Sequence, residues 1–187
     1  MKKIAIFASG SGTNAQNIIT YFSSNSSIRT ELVICNKPGA YVLERARNLG
    51  VKSIVPTKEE LQSEKILQIL KEHKIDFIVL AGYLLKIPAI LIHNYPDSII
   101  NIHPALLPKY GGKGMYGHYV HQAVVAAKEK ESGITIHLVD EFYDNGQILF
   151  QATCPVSPSD TAEDVAEKIH LLEQKHFPQV IEAYLNR

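Results

Sequence analysis

Neither sign of charge is in excess in this sequence, where 19 Lys and Arg are balanced by 19 Asp and Glu. A chain without a net field has no means of gathering nucleic acid or anionic membrane nonspecifically, so a small molecule is the favoured partner. Long apolar runs are also missing, and no stretch approaches the length needed to cross a bilayer. The opening "MKKIAIFASGSGTN" puts two lysines before a very short apolar run that ends in a Gly-rich turn. It reads as a first strand and not as a signal peptide. Cysteine is scarce: Cys35 and Cys154 each fall inside an apparent strand, where they read as buried structural thiols in a reducing cytoplasm. There is no internal repeat, linker or low-complexity segment. At 187 residues the chain suits a single domain, 1–187, and is short for two.

What is present is an alternation of short apolar runs with longer amphipathic ones. "KIAIFAS", "ELVICN", "KSIVP", "DFIVLAG" and "SIINIH" read as strands, and helices are expected over Thr13–Ser24, Tyr41–Leu49 and Lys58–His73. Strand, helix, strand in succession means parallel pairing by right-handed crossovers. Later, "GITIHLVD" and "QILFQATCPV" are separated only by "EFYDNG", which predicts an antiparallel hairpin at the late edge of the sheet. A last helix is expected near Asp160, capped by its carboxylate with Glu163 answering three residues on. The fold class is doubly wound, Rossmann-like α/β with a mostly parallel sheet. Ligands in such sheets bind outside the carboxyl ends of the strands, which places "FASGSGTNA" and "IINIHP" at the same rim.

The first of these segments satisfies the loose G-x-G-x-x-A pattern of a dinucleotide site over Gly10 to Ala15. The second strand, however, ends in Asn36 and Lys37, where such a site needs an acid for the ribose. Nicotinamide cofactors are disfavoured, and a phosphate monoester at the helix N-terminus remains, beside the simpler alternative of a tight turn.

In the second segment, Asn101 and His103 stand two residues apart on a strand and share a face. Pro104 ends the strand and leaves the imidazole at its rim. Asn101 can donate without titrating, as suits an oxygen gaining charge in a tetrahedral intermediate, and His103 can donate and shuttle a proton near neutrality. A satisfied buried His–Asn pair is the plainer alternative. Thr135 and His137 repeat the i, i+2 polar pattern, and "DEFYDNG" offers Asp140, Glu141 and Asp144. A carboxylate beside His103 would favour its charged form and orient it. His103, His118, His121 and His137 match no zinc-ligand spacing, so no metal is expected. "KYGGKGMYG", Lys109 to Gly117, reads either as a substrate cover or as a long loop, and Glu173 by default as a solvated charge.

Together "FASGSGTN", "VLAGY", "NIHPALLPKY" and "GITIHLVDEFYDNGQIL" resemble the phosphoribosylglycinamide formyltransferase family, in the family's order and over nearly the whole chain. The resemblance implies a one-carbon transferase of purine synthesis that moves the formyl group of 10-formyltetrahydrofolate to the amine of glycinamide ribonucleotide, without a metal. It assigns catalytic roles to Asn101, His103 and Asp144, with Thr135 as a supporting hydroxyl. Gly12, Thr13 and Asn14 would cradle the substrate phosphate and Glu173 would hold the ribose. The pteridine would lie against Leu84, Leu85, Lys86 and Ile87, and against Asn101 and the Asp140, Glu141, Asp144 turn. Many members carry a basic residue where this chain has Leu85. The implied setting is cytoplasmic, the protein a monomer or homodimer, without nucleic acid or membrane partners. Methionyl-tRNA formyltransferase shares the catalytic Asn, His and Asp but is expected to add a C-terminal tRNA-binding domain, and formyltetrahydrofolate hydrolase resembles this fold preceded by a regulatory domain. A non-catalytic nucleotide-binding module would explain the glycine turn alone.

Overall fold

The computed structural model describes residues 1–187. The apolar runs form seven strands: β1 (Lys2–Ala8), β2 (Ile28–Cys35), β3 (Lys52–Ile54), β4 (Phe77–Leu80), β5 (Ile99–His103), β6 (Glu131–Leu138) and β7 (Ile148–Pro155). Their order is β3-β2-β1-β4-β5-β6-β7. The β1–β2, β1–β4 and β2–β3 pairs are parallel. The expected hairpin forms as an antiparallel ladder from Glu131↔Pro155 to His137↔Ile148. β1 reads as a continuous apolar run because it is central, and Ile4 to Ala8 are fully buried. β7, at the edge, is mostly exposed or partly buried, with only Cys154 buried.

The chain divides into two compact units, Met1–Ile100 with Leu185–Arg187, and Asn101–Tyr184. In the first, α1 (Thr13–Phe22) buries Ala15, Ile18, Ile19 and Phe22, a stripe at helical spacing. Each isoleucine so buried contributes roughly 1.5–3 kcal/mol by removal from water. α2 (Tyr41–Asn48) and α5 (Ala89–Asn94) also belong to this unit. The single helix expected over Lys58–His73 is instead two, α3 (Lys58–Leu61) and α4 (Glu64–Glu72). The break has a local cause. Thr57 and Glu60 form a reciprocal capping box on α3, and the Ser63 hydroxyl accepts from Lys65 N to start α4. Two good caps six residues apart outweigh one continuous amphipathic pattern.

The second unit holds α6 (His118–Ala126) and nearly all of α7 (Ala162–Leu185). The cap of α7 lies one residue later than expected. Thr161 N donates to Asp164 Oδ2 at 2.8 Å, and Asp164 N donates to Thr161 Oγ1 at 3.2 Å. Asp160 turns to other work, accepting from Ser157 N and from the Lys168 ammonium. No helix is long and apolar enough to cross a membrane.

Candidate functional site

The end of β5 in the second unit concentrates the polar chemistry. Pro104 stops the strand, and His103, only 3% exposed, has both ring nitrogens facing oxygen. Nε2 donates to the main-chain oxygen of Tyr110 at 2.7 Å, while Nδ1 lies 3.6 Å from Asp144 Oδ2. With Nε2 committed to a carbonyl, Nδ1 is the atom free for chemistry. Asp144 is held for this meeting by a left-handed backbone, φ 53°, and by accepting from Gly112 N at 2.9 Å. Its other oxygen is 3.7 Å from His137 Nε2.

Asn101 points to the same cluster. The His137 ring settles its orientation, because Nδ1 faces the Leu138 carbonyl at 2.8 Å and must carry a proton to bond there. Nε2 of a neutral ring is then an acceptor, and Asn101 Nδ2 donates to it at 3.1 Å. The second Nδ2 proton remains for another acceptor. Burial is the largest influence on His137 and pushes it below the ordinary imidazole range, against the raising effects of the Leu138 carbonyl and Asp144. Its neutrality is what lets it accept from Asn101.

Thr135 does not face this cluster. Fully buried, its hydroxyl donates to Ala105 O at 2.7 Å and accepts from Leu107 N at 3.0 Å and Gln151 Nε2 at 2.9 Å. It thereby staples the main chain just beyond His103 to β6. Thr135→Val should cost about 2–3 kcal/mol, since Leu107 N and Ala105 O would lose a buried partner. Chemical denaturation reads this directly, and a loss below about 0.5 kcal/mol would contradict the staple.

The carboxylate of Asp140 is spent on the turn itself, accepting from Phe142 N at 2.8 Å and Asn145 Nδ2 at 2.9 Å, while Glu141 is exposed. Glu173 is not a solvated charge. Its side chain is 15% exposed and meets His170 Nδ1 at 3.7 Å. The neighbouring carboxylate raises His170 above the ordinary range. Burial lowers His121, whose Nδ1 has no hydrogen-bond partner.

These shifts set a stability profile. An unfolded histidine takes its proton near pH 6.5. His137 and His121 resist protonation when folded, so their contribution declines as pH falls below that value toward their lowered folded values. His170 acts oppositely, its contribution being full below about pH 6.5 and lost as pH rises through its raised folded value. Two buried rings against one half-exposed ring predict a falling Tm between pH 7 and 5. Thermal unfolding across that range checks it, and a rising Tm would refute it.

In the first unit, the turn after β1 leads into α1 with Gly12 as N-cap at φ 76°. A Cβ at Gly12 would lie 2.5 Å from Val42, so packing as well as backbone conformation requires glycine there. A Cβ at Gly10 would meet nothing within 4 Å. α1 starts with no side-chain cap and no acid in its first turn, and Thr13 and Asn14 are its first two residues. Leu84, Leu85 and Lys86 follow β4 as an exposed segment, with Ile87 buried behind them.

Sequence reasoning passed over several participants. Tyr110 and Gly112 act through main-chain atoms, which no residue type announces. In the sequence His137 is visible only as half of a polar pair with Thr135. No group of three or more His, Cys, Asp or Glu is placed to hold a metal ion.

Comparison with known proteins adds a lineage to this geometry. Residues 2–181 match the model of the family described as formyl transferase. The chain is 41% identical, over 97% of its length and 60% of the relative's, to a chloroplastic phosphoribosylglycinamide formyltransferase of Vigna unguiculata. It is 38% identical to the phosphoribosylglycinamide formyltransferase of Bacillus subtilis, over 99% of this chain and 95% of that one. Among solved structures, glycinamide ribonucleotide transformylase 1 from Geobacillus kaustophilus superposes with a TM-score of 0.90 at 37% identity, covering 99% of both chains. The chain thus spans about three fifths of the plant relative and nearly all of the bacterial ones.

Proposed function

Because the chain belongs to the formyl transferase family, we propose that it transfers the formyl group of 10-formyltetrahydrofolate to the amine of glycinamide ribonucleotide. The observation that carries this reading is the meeting of Asp144 with His103 Nδ1 at 3.6 Å, on the strand that also presents Asn101. A proton at Nδ1 beside a carboxylate, and an amide proton not consumed by His137, are two donors suited to one developing oxyanion.

The chemistry then runs through these groups. The amine attacks the formyl carbon, and the carbonyl oxygen becomes an anion that Asn101 Nδ2 and His103 Nδ1 stabilise. Asp144 holds the imidazolium in place and orders a water that carries the proton lost by the amine to the departing folate nitrogen. Collapse of the intermediate breaks the bond to that nitrogen and leaves the formamide. In the first unit, the uncapped start of α1 with Gly12, Thr13 and Asn14 would take the substrate phosphate, and Leu84 to Ile87 the pteridine. In the second, Glu173 would hold the ribose, and the Asp140 to Asp144 turn would complete the donor site.

The test is a formyl-transfer assay with one folate donor and several amine acceptors. Glycinamide ribonucleotide should be the efficient acceptor, and its dephosphorylated form should react much more slowly. Inorganic phosphate should compete with the ribonucleotide and not with the folate. Efficient formylation of methionyl-tRNA would overturn the reading.

A further inference from the structure

Ser9 directly follows β1, and both its N–H and its hydroxyl are spent inside the first unit. The residue is 2% exposed. Its N–H donates to Gly82 O at 3.0 Å, its hydroxyl donates to Asn36 Oδ1 at 2.6 Å, and the same hydroxyl accepts from Leu84 N at 2.9 Å. Asn36 follows β2, and Gly82 and Leu84 follow β4. One side chain just beyond the central strand therefore ties together the segments that follow the strands on either side, at the point where the strand order reverses.

The donor and acceptor roles in this tie are forced. Leu84 N can only donate, so the Ser9 oxygen must accept there and send its single proton elsewhere. Asn36 Oδ1 receives it. This gives Asn36 a role of its own, at the position where a dinucleotide site would need an acid. Beside it the Tyr83 ring meets Phe7 edge-on at 5.3 Å and Ile87 is buried, so the Leu84 N–H bond fixes the main chain between two packed side chains. Gly82 turns at φ 73°, and the Leu84 and Leu85 side chains are 42% and 38% exposed.

We infer that Ser9 is a positioning residue for the donor segment: through Leu84 N it sets the main-chain course of Leu84 to Ile87, and with it the affinity for the folate ring, without touching either substrate. The inference rests on the reading that this segment takes the pteridine.

The experiment compares Ser9→Ala with the parent in donor binding, in both KM values and in amide exchange. The Leu84 amide should lose protection while that of Ala81, held by Phe7 O, keeps it. The donor KM should rise roughly tenfold, the scale of one lost buried bond, with kcat and the acceptor KM within about twofold. Two further variants hold if Ser9→Ala fails to fold. Asn36→Asp keeps an acceptor for the hydroxyl and should leave the donor KM near the parent value, whereas Asn36→Leu should raise it. A deprotected Leu84 amide with an unchanged donor KM would overturn the inference. So would equal behaviour of the two Asn36 variants, or a parallel loss in both KM values and kcat. A parent that binds no folate donor would overturn the functional reading as well, while normal donor binding in both parent and Ser9→Ala would overturn this inference alone.

Discussion

Asp144→Asn should lower kcat by roughly two to three powers of ten while the protein stays folded. The substitution is close to isosteric, and asparagine is among the few residues at ease in the left-handed region that position 144 occupies. Its Oδ1 can still accept from Gly112 N, the bond that ties the turn to the loop. What vanishes is the negative charge 3.6 Å from His103 Nδ1. Without it the His103 ring loses the carboxylate beside Nδ1, and the donor meant for the oxyanion is no longer held. The deficit should therefore fall on the chemical step, with both KM values little changed. Single-turnover formyl transfer, beside a thermal melt, separates the cases. A variant with parental kcat and an unaltered melt would remove Asp144 from the mechanism.

Asn101→Ala and His103→Ala should each reduce turnover by a comparable factor, since a single oxyanion donor is worth roughly 10²–10³ in rate. The pair carries a sharper expectation. Both donors act on one oxygen, so the double variant should lose less than the product of the single losses. Asn101→Ala has a second effect, because it leaves His137 Nε2 without its donor and loosens the ring that faces Asp144. His103→Ala instead releases the Tyr110 carbonyl. Rates for the two singles and the double, each checked for folding by circular dichroism, make the cycle. Fully multiplicative losses would mean the two side chains serve different steps.

Much of this arrangement can be read along the chain, for a physical reason. Buried parallel strands must be apolar on both faces, so "KIAIFAS" and "DFIVLAG" announce themselves, and a proline after "NIH" marks where a strand ends. Helix boundaries are less legible because several serines, threonines and acids compete for the same cap. Ser63 starts a new helix inside a run that periodicity carries straight through, and Thr161 takes the cap expected of Asp160. The i, i+2 spacing of Asn101 and His103 gave their common face. The approach of Asp144 could not be deduced that way, since it depends on a left-handed residue in a turn 41 positions beyond His103. Contacts made by main-chain atoms leave no trace in residue identity at all.

That last point bears on how the His103 ring could be altered from outside. Its Nε2 partner is the peptide oxygen of Tyr110, whose φ is 55°, and the phenol of the same residue is occupied elsewhere, donating to Glu129 at 2.9 Å. A scan that trims side chains one at a time would remove the phenol and leave the carbonyl where it was. Position 110 would then score as dispensable to the imidazole it secures. The change to which this bond is sensitive is arithmetic: one residue more or fewer between Pro108 and Gly112 would carry the oxygen off its mark, so insertions and deletions should be tolerated far less here than substitutions.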